Sequence, residues 1–133
     1  MKNAVFSRFL LLALAAVFTL NFTTDRAGWE RLGARRVNYG LDRDEIFVTA
    51  KDGIFTALKI KVKRGGINMH RLVVHYGNGQ TDEIELRNNF APGSESRVLD
   101  LVGNKRIIQK VVFWYDTKNI ARRRAVVELW GRH

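Results

Sequence analysis

Four cations crowd one short stretch of the chain, Lys118, Arg122, Arg123 and Arg124, and a second pair, Arg35-Arg36, lies far upstream. Guanidinium groups at this density suit phosphate or carboxylate, which a planar fork binds through two parallel hydrogen bonds. Trp114 and Tyr115 precede the first cluster, and aromatics beside arginines also suggest a nucleic-acid surface on which bases stack. Strand geometry argues against that, because neighbouring residues on a strand point to opposite faces and the two rings do not share one surface. Lys59, Lys61 and Lys63 form a third basic row, with a plainer explanation beside it: lysines on an exposed strand face guard against edge-to-edge pairing. Loop arginines are likewise often merely solvated.

Other chemistry finds less support. His70 and His75 are an odd number of residues apart on one strand, so a regular strand points them to opposite faces and denies them a shared metal site. Ser94 and Ser96 lie in a polar loop without the Gly-x-Ser-x-Gly turn that exposes a nucleophile. Glu83 and Glu85 share a strand face, which is common on solvated hairpins, and Gly77-x-Gly79 lacks the third glycine and the strand-to-helix setting of a dinucleotide loop. Two oxygen-rich clusters, Asp42, Asp44 and Glu45 and then Asn78, Gln80 and Asp82, fall short of the six to eight ligands calcium wants, and turn chemistry explains both. With no Cys, thiolate metal sites, thiol nucleophiles and disulfides are excluded, and the core alone must hold the fold. We expect no catalytic residue, no metal and no cofactor, and a protein that is not an enzyme.

The chain begins with Lys2 and Arg8 and then the apolar run Phe9 to Leu20, 12 residues long. A bilayer-spanning helix takes roughly 20 such residues, and a signal-peptide core roughly 7 to 15. The expectation is a signal peptide over residues 1–24, with an uncleaved N-terminal anchor as the alternative, and a periplasmic or secreted product. Removing those residues takes away two of the 23 basic residues and none of the 13 acids, leaving 21 − 13, a formal charge of about +8. Such a charge favours anionic partners, and export makes an envelope polymer or lipid a better candidate than the chromosome. Nucleic acid is therefore not expected as a partner, nor a transmembrane segment in the mature chain.

The remaining 28–133 reads as one domain made almost entirely of strands. Residues 55–63 (FTALKIKVK) alternate cleanly, with Leu58, Ile60 and Val62 on one face and the three lysines on the other. Gly65-Gly66 is expected to supply the positive φ of a tight connection. Residues 69–76 and 81–88 flank a turn containing Asn78-Gly79, a strong hairpin signal. Residues 97–102 read as a short strand. Residues 106–116 (RIIQKVVFWYD) are apolar on both faces, as in a central strand, and residues 124–130 are expected to pair with them as a final hairpin. Two upstream strands bring the total to about eight, which predicts an antiparallel β-sandwich of jelly-roll type, with a closed small barrel as runner-up.

The phrases LGARRVNYGLDRDEI, NFAPGSESRVLDLVG and RIIQKVVFWYDT…RAVVELWGR resemble a family of small exported bacterial proteins known only as a domain of unknown function. The shared positions are Leu32-Gly33; Arg97, Asp100, Leu101 and Gly103; Val111, Phe113 and Tyr115; and Leu129 and Gly131, with Trp130 inserted between them. The resemblance covers roughly residues 30 to 132. It implies a signal peptide followed by one all-β domain and carries no catalytic residue. Arg97 and Asp100 have opposite parity, so a direct pair is not expected on a regular strand; one of them turned inward or set at a sheet corner would form a structural salt bridge to another strand, with a ligand role as the alternative.

The functional expectation is an exported, non-enzymatic sandwich that binds an anionic envelope component through Lys118, Arg122, Arg123, Arg124, Arg35 and Arg36. A carbohydrate-binding module is the alternative, which calls for an exposed aromatic platform at Trp130, Tyr76 or Trp29. A hydrolase without a recognisable motif ranks last.

Overall fold

A computed structural model of the chain describes residues 28–37, 41–117 and 124–133. The signal-peptide expectation and Lys118, Arg122 and Arg123 fall outside them. Eight strands are described: β1 (Trp29–Arg36), β2 (Leu41–Phe47), β3 (Ala57–Lys63), β4 (Ile67–Tyr76), β5 (Thr81–Phe90), β6 (Leu99–Asp100), β7 (Ile108–Asp116) and β8 (Val126–Arg132). They form two antiparallel four-stranded sheets, ordered β1-β8-β3-β6 and β2-β7-β4-β5. Only β4 and β5 are both consecutive and paired; every other connection crosses between sheets, which is the jelly-roll arrangement the turn spacing predicts.

That crossing overturns the final hairpin. β7 is flanked by β2 and β4, while β8 lies between β1 and β3 in the opposite sheet. β7 already has a paired strand on each side, so its continuation has no edge to return to. The centrality read from its sequence holds: Val111, Val112, Phe113 and Tyr115 are all fully buried. Val111, Phe113 and Tyr115 face the core, with Leu58, Ile60 and Val62 of β3, Met69, Leu72 and Val74 of β4, and Val127 and Leu129 of β8.

Three local details depart from the regular alternation. The β7–β4 register shifts where Tyr76 pairs with Ile108 and His75 with Lys110. This bulge turns Ile108 inward, 1% exposed, and leaves Ile107 45% exposed. Arg64, at φ 73°, supplies the left-handed residue after β3 that Gly65-Gly66 were expected to supply. The strand expected at 97–102 shortens to β6, two residues long.

The lysines of β3 do point outward, but they do not form a free basic row. Lys59 is only 8% exposed, with its ammonium 4.4 Å from the Trp29 ring centroid and 3.5 Å from Glu95. Lys61 lies 3.9 Å from the Trp130 centroid and 4.0 Å from Glu95. Lys63 reaches Glu128 at 3.4 Å. Snorkelling over an indole ring lets the stems of Lys59 and Lys61 shield apolar surface while each head keeps a charged partner.

His133 fastens β1 to the chain ahead of β3. Its Nε2 lies 2.6 Å from Glu30 Oε1 and its Nδ1 3.0 Å from the Ile54 carbonyl oxygen, with the ring 4.5 Å from that of Phe55. The Glu30 carboxylate raises the imidazole pKa, and partial burial opposes it more weakly. A folded-state pKa above the unfolded value of about 6.5 contributes stability that is full below that pH and lost as pH rises through the higher folded value. The melting-temperature gap between wild type and His133→Gln is therefore expected to be wider at about pH 6 than at about pH 9. A gap independent of pH would remove the imidazolium from the account.

Candidate functional site

The register of β1 on β8 brings two clusters together that the sequence separates widely. Arg35 pairs with Val127 and Arg36 with Val126, and the Val37 N–H donates to the Ala125 oxygen at 3.0 Å. Arg36 and exposed Arg124 thus lie at one end of the sandwich. On the other side of β8, Lys63 is also opposite Val126, with Arg64 next along the chain. Five cations from three segments converge there.

Their engagement differs. The Arg35 side chain turns to the other sheet, where Nη2 meets Asp44 Oδ1 at 3.2 Å and the Tyr115 hydroxyl donates to Asp44 Oδ2 at 2.9 Å. Lys63 joins Arg31 on Glu128. Burial alone would raise the Glu128 carboxyl; the Trp130 indole N–H and the charges of Lys63 and Arg31 outweigh it and hold the group below its ordinary value. Arg36 is exposed and forms no ion pair with a described residue. Of the cations at this end, Arg35 is paired with Asp44 and Lys63 with Glu128.

A second arrangement, which the sequence reading did not single out, lies on the outer face of β2-β7-β4-β5. The β4 register shifts between Met69 and Arg71 against both neighbouring strands. With Met69 and Leu72 both in the core, His70 and Arg71 both face outward. The bulge removes the premise that separated the two histidines: His75, between core residues Val74 and Tyr76, also faces outward. The two nonetheless occupy opposite ends of β4, His70 near Asp116 and His75 beside Lys110, and do not meet.

His70 Nε2 lies 2.7 Å from Asp116 Oδ2, and Asn68 Nδ2 donates to the same oxygen at 3.0 Å. Asp116 is 6% exposed. Arg71 lies 3.8 Å from the Trp114 ring centroid, with Arg43 on the ring at 5.7 Å, and donates to Glu83 at 3.0 Å. Arg87, held at φ 37°, donates to Glu85 at 2.7 Å. Asn68, His70, Arg71, Glu85 and Arg87 line a groove of about 360 Å³.

The remaining sequence candidates have structural occupations. Ser96 is buried, and its hydroxyl bonds the backbone of Ile60 on β3 and of its own neighbour Arg97. The amide oxygens of Asn78 and Gln80 accept from the Arg106 guanidinium at 3.4 and 2.8 Å, so an arginine fills the place considered for calcium. Among the described residues no group of three or more potential metal ligands occurs, and no helix is long and apolar enough to cross a membrane. Of the aromatic platform candidates, Trp29 is 5% and Tyr76 2% exposed, while Trp130 is half-buried under Lys61. Arg97 and Asp100 do not pair with each other: Arg97 donates to the Glu85 carbonyl at 3.3 Å, and Asp100 forms the salt bridge to another strand, to Arg132 of β8 at 3.6 Å.

Among solved structures, the fold is similar to AlgX of Pseudomonas aeruginosa at 11% identity and TM-score 0.48, covering 75% of this chain and 25% of that one. The chain thus spans a quarter of AlgX. A mutant of CBM29-2, a family 29 carbohydrate-binding module, matches at 12% identity and TM-score 0.35 over 82% of this chain and 87% of that one. A further family 29 module matches at 11% identity and TM-score 0.29 over 82% and 84%. These likenesses do not extend to a ligand. No curated protein sequence matches the chain. The family model described as "Domain of unknown function (DUF2541)" matches residues 9–131, reaching further upstream than the phrases quoted above, and the chain belongs to that family.

Proposed function

We propose that this chain is an exported, non-catalytic binding module that engages an anionic component of the cell envelope at its basic end. Lipopolysaccharide, anionic lipid and wall polymers share the phosphate or carboxylate groups that arginine forks recognise. The observation that carries the reading is the β1–β8 register, which sets Arg36 and Arg124 at the end where Lys63 and Arg64 also emerge. A formal charge of +10 over the whole sequence adds long-range attraction toward any such surface.

Binding through about four cation–phosphate contacts should weaken by roughly a hundredfold between about 50 and 200 mM salt, because counterions displaced by binding return. Cosedimentation with phosphatidylglycerol vesicles and with lipopolysaccharide checks this. The Arg36→Ser/Arg124→Ser variant is expected to bind more weakly than wild type while circular dichroism shows it still folded. Absence of binding at the lowest salt sinks the reading.

A further inference from the structure

We propose that the polar groove on the outer face of β2-β7-β4-β5 is a saccharide site that seats a sugar residue bearing a carboxylate. Its position argues for construction: two backbone irregularities coincide there, the bulge that presents His70 and Arg71 together and the left-handed Arg87 opposite it. Bulges re-aim side chains, and a non-glycine residue at positive φ persists only where its surroundings hold it.

The lining fixes the chemical class. All five lining residues, Asn68, His70, Arg71, Glu85 and Arg87, carry polar or charged heads, so the groove can orient a ligand by hydrogen bonds and charge. Arg71 is steadied by the Trp114 ring and spends one N–H on Glu83; Arg87 spends its Nε–H on Glu85. Each guanidinium carries five N–H groups, so both keep donors for a ligand. Glu85 supplies acceptors, and His70, tethered through Nε2 to buried Asp116, keeps Nδ1 for the groove. Donors and acceptors side by side match vicinal hydroxyls, while the N–H groups that each guanidinium keeps beyond its own ion pair, to Glu83 or Glu85, suit a carboxylate substituent. Asn68 and His70 are locked on the same Asp116 oxygen, which reduces the ordering cost of binding.

This goes beyond the basic-end reading, because the contacts are made by different residues and require hydroxyls as well as charge. The test is a titration of the isotopically labelled chain, followed by amide NMR at about 150 mM salt, where long-range attraction is screened. The probes are a hexuronic acid tetrasaccharide and a neutral hexose tetrasaccharide of the same linkage. Shifts are expected at 68–71, 85–87 and 114–116 with the acidic probe. The neutral probe, and the Arg87→Gln variant with the acidic probe, should bind roughly tenfold more weakly. Arg87 is a surface side chain, 80% exposed, so that variant should fold, which its spectrum reports directly. The Arg36→Ser/Arg124→Ser variant should retain the groove shifts even if it loses vesicle binding. Equal affinity for the two probes overturns the carboxylate, shifts confined to the ends of β1 and β3 overturn the groove, and no shift overturns both.

Discussion

Gly131→Val is expected to destabilise the domain by about 3 kcal/mol, at the upper end of the usual cost of overpacking a core. For a domain of this size that lowers the melting temperature by roughly 15 °C, as circular dichroism would measure. Even the first added carbon, a Cβ on Gly131, would lie 2.7 Å from Phe55 Cδ1, 2.8 Å from Phe55 Cε1 and 2.8 Å from Leu32 Cδ1. The Phe55 ring is held on several sides. It is fully buried, stacked on His133 and fixed by paired backbone bonds to Arg106 at 2.8 Å each. The backbone of Gly131 is not left-handed, so the penalty is steric and a smaller ring position should relieve it. In the Phe55→Leu background, the further cost of Gly131→Ala should shrink. Equal costs in both backgrounds would show that the close approach to Phe55 does not govern the site.

Close approach of this kind explains why glycine accompanies leucine twice in the family phrases. Gly33, after Leu32, would place a Cβ 2.6 Å from Ile46 of β2, and Gly131, after Trp130, would meet Phe55 and Leu32. Both glycines mark places where a side chain of another segment crosses the backbone. Sequence could show that these positions lack side chains, but not which neighbours require it. Strand existence was legible because alternation survives along β3 and β5, and the two-sided apolar pattern of β7 announced a central strand. Partner choice was not. The 117–125 connection joins two strands whose patterns suit a hairpin, yet β7 is flanked by β2 and β4, a fact fixed by segments more than thirty residues upstream.

The candidate sites divide along the same line. Arg35-Arg36 and Arg124 were visible as charge runs, and their convergence needed only the β1–β8 register. The groove was invisible because parity arguments assume a regular strand. The bulge at His70 breaks that assumption, and the ligand-facing set it creates comes from β4 and β5 with Asp116 of β7 beneath. The lysine row erred in the opposite sense. Alternation placed Lys59, Lys61 and Lys63 outside correctly, but could not reveal that Trp29 and Trp130 of other strands lie beneath two of them while Glu95 and Glu128 pair with them.

Ser96→Ala should cost about 2 kcal/mol, the penalty for stranding a buried backbone donor. β6 pairs with β3 only through Ala57 and Leu58, so the next donors along β3 must find partners elsewhere. Val62 N–H reaches the Ser94 oxygen at 2.9 Å, and Ser96 N–H donates to the Ile60 oxygen at 2.8 Å. Ile60 N–H has no backbone acceptor on that side and donates to Ser96 Oγ at 2.9 Å, while the hydroxyl itself donates to the Arg97 carbonyl oxygen at 2.7 Å. One hydroxyl thus stands in for the missing length of β6 and satisfies two backbone groups. Ser96 is 7% exposed and Ile60 fully buried, so bulk water does not readily replace it. The expected signature is local as well as global: in Ser96→Ala the Ile60 amide should exchange with solvent at least tenfold faster relative to its neighbours on β3, beyond what the lower global stability explains. An Ile60 amide that slows and speeds only in step with those neighbours would show that the hydroxyl is not its acceptor.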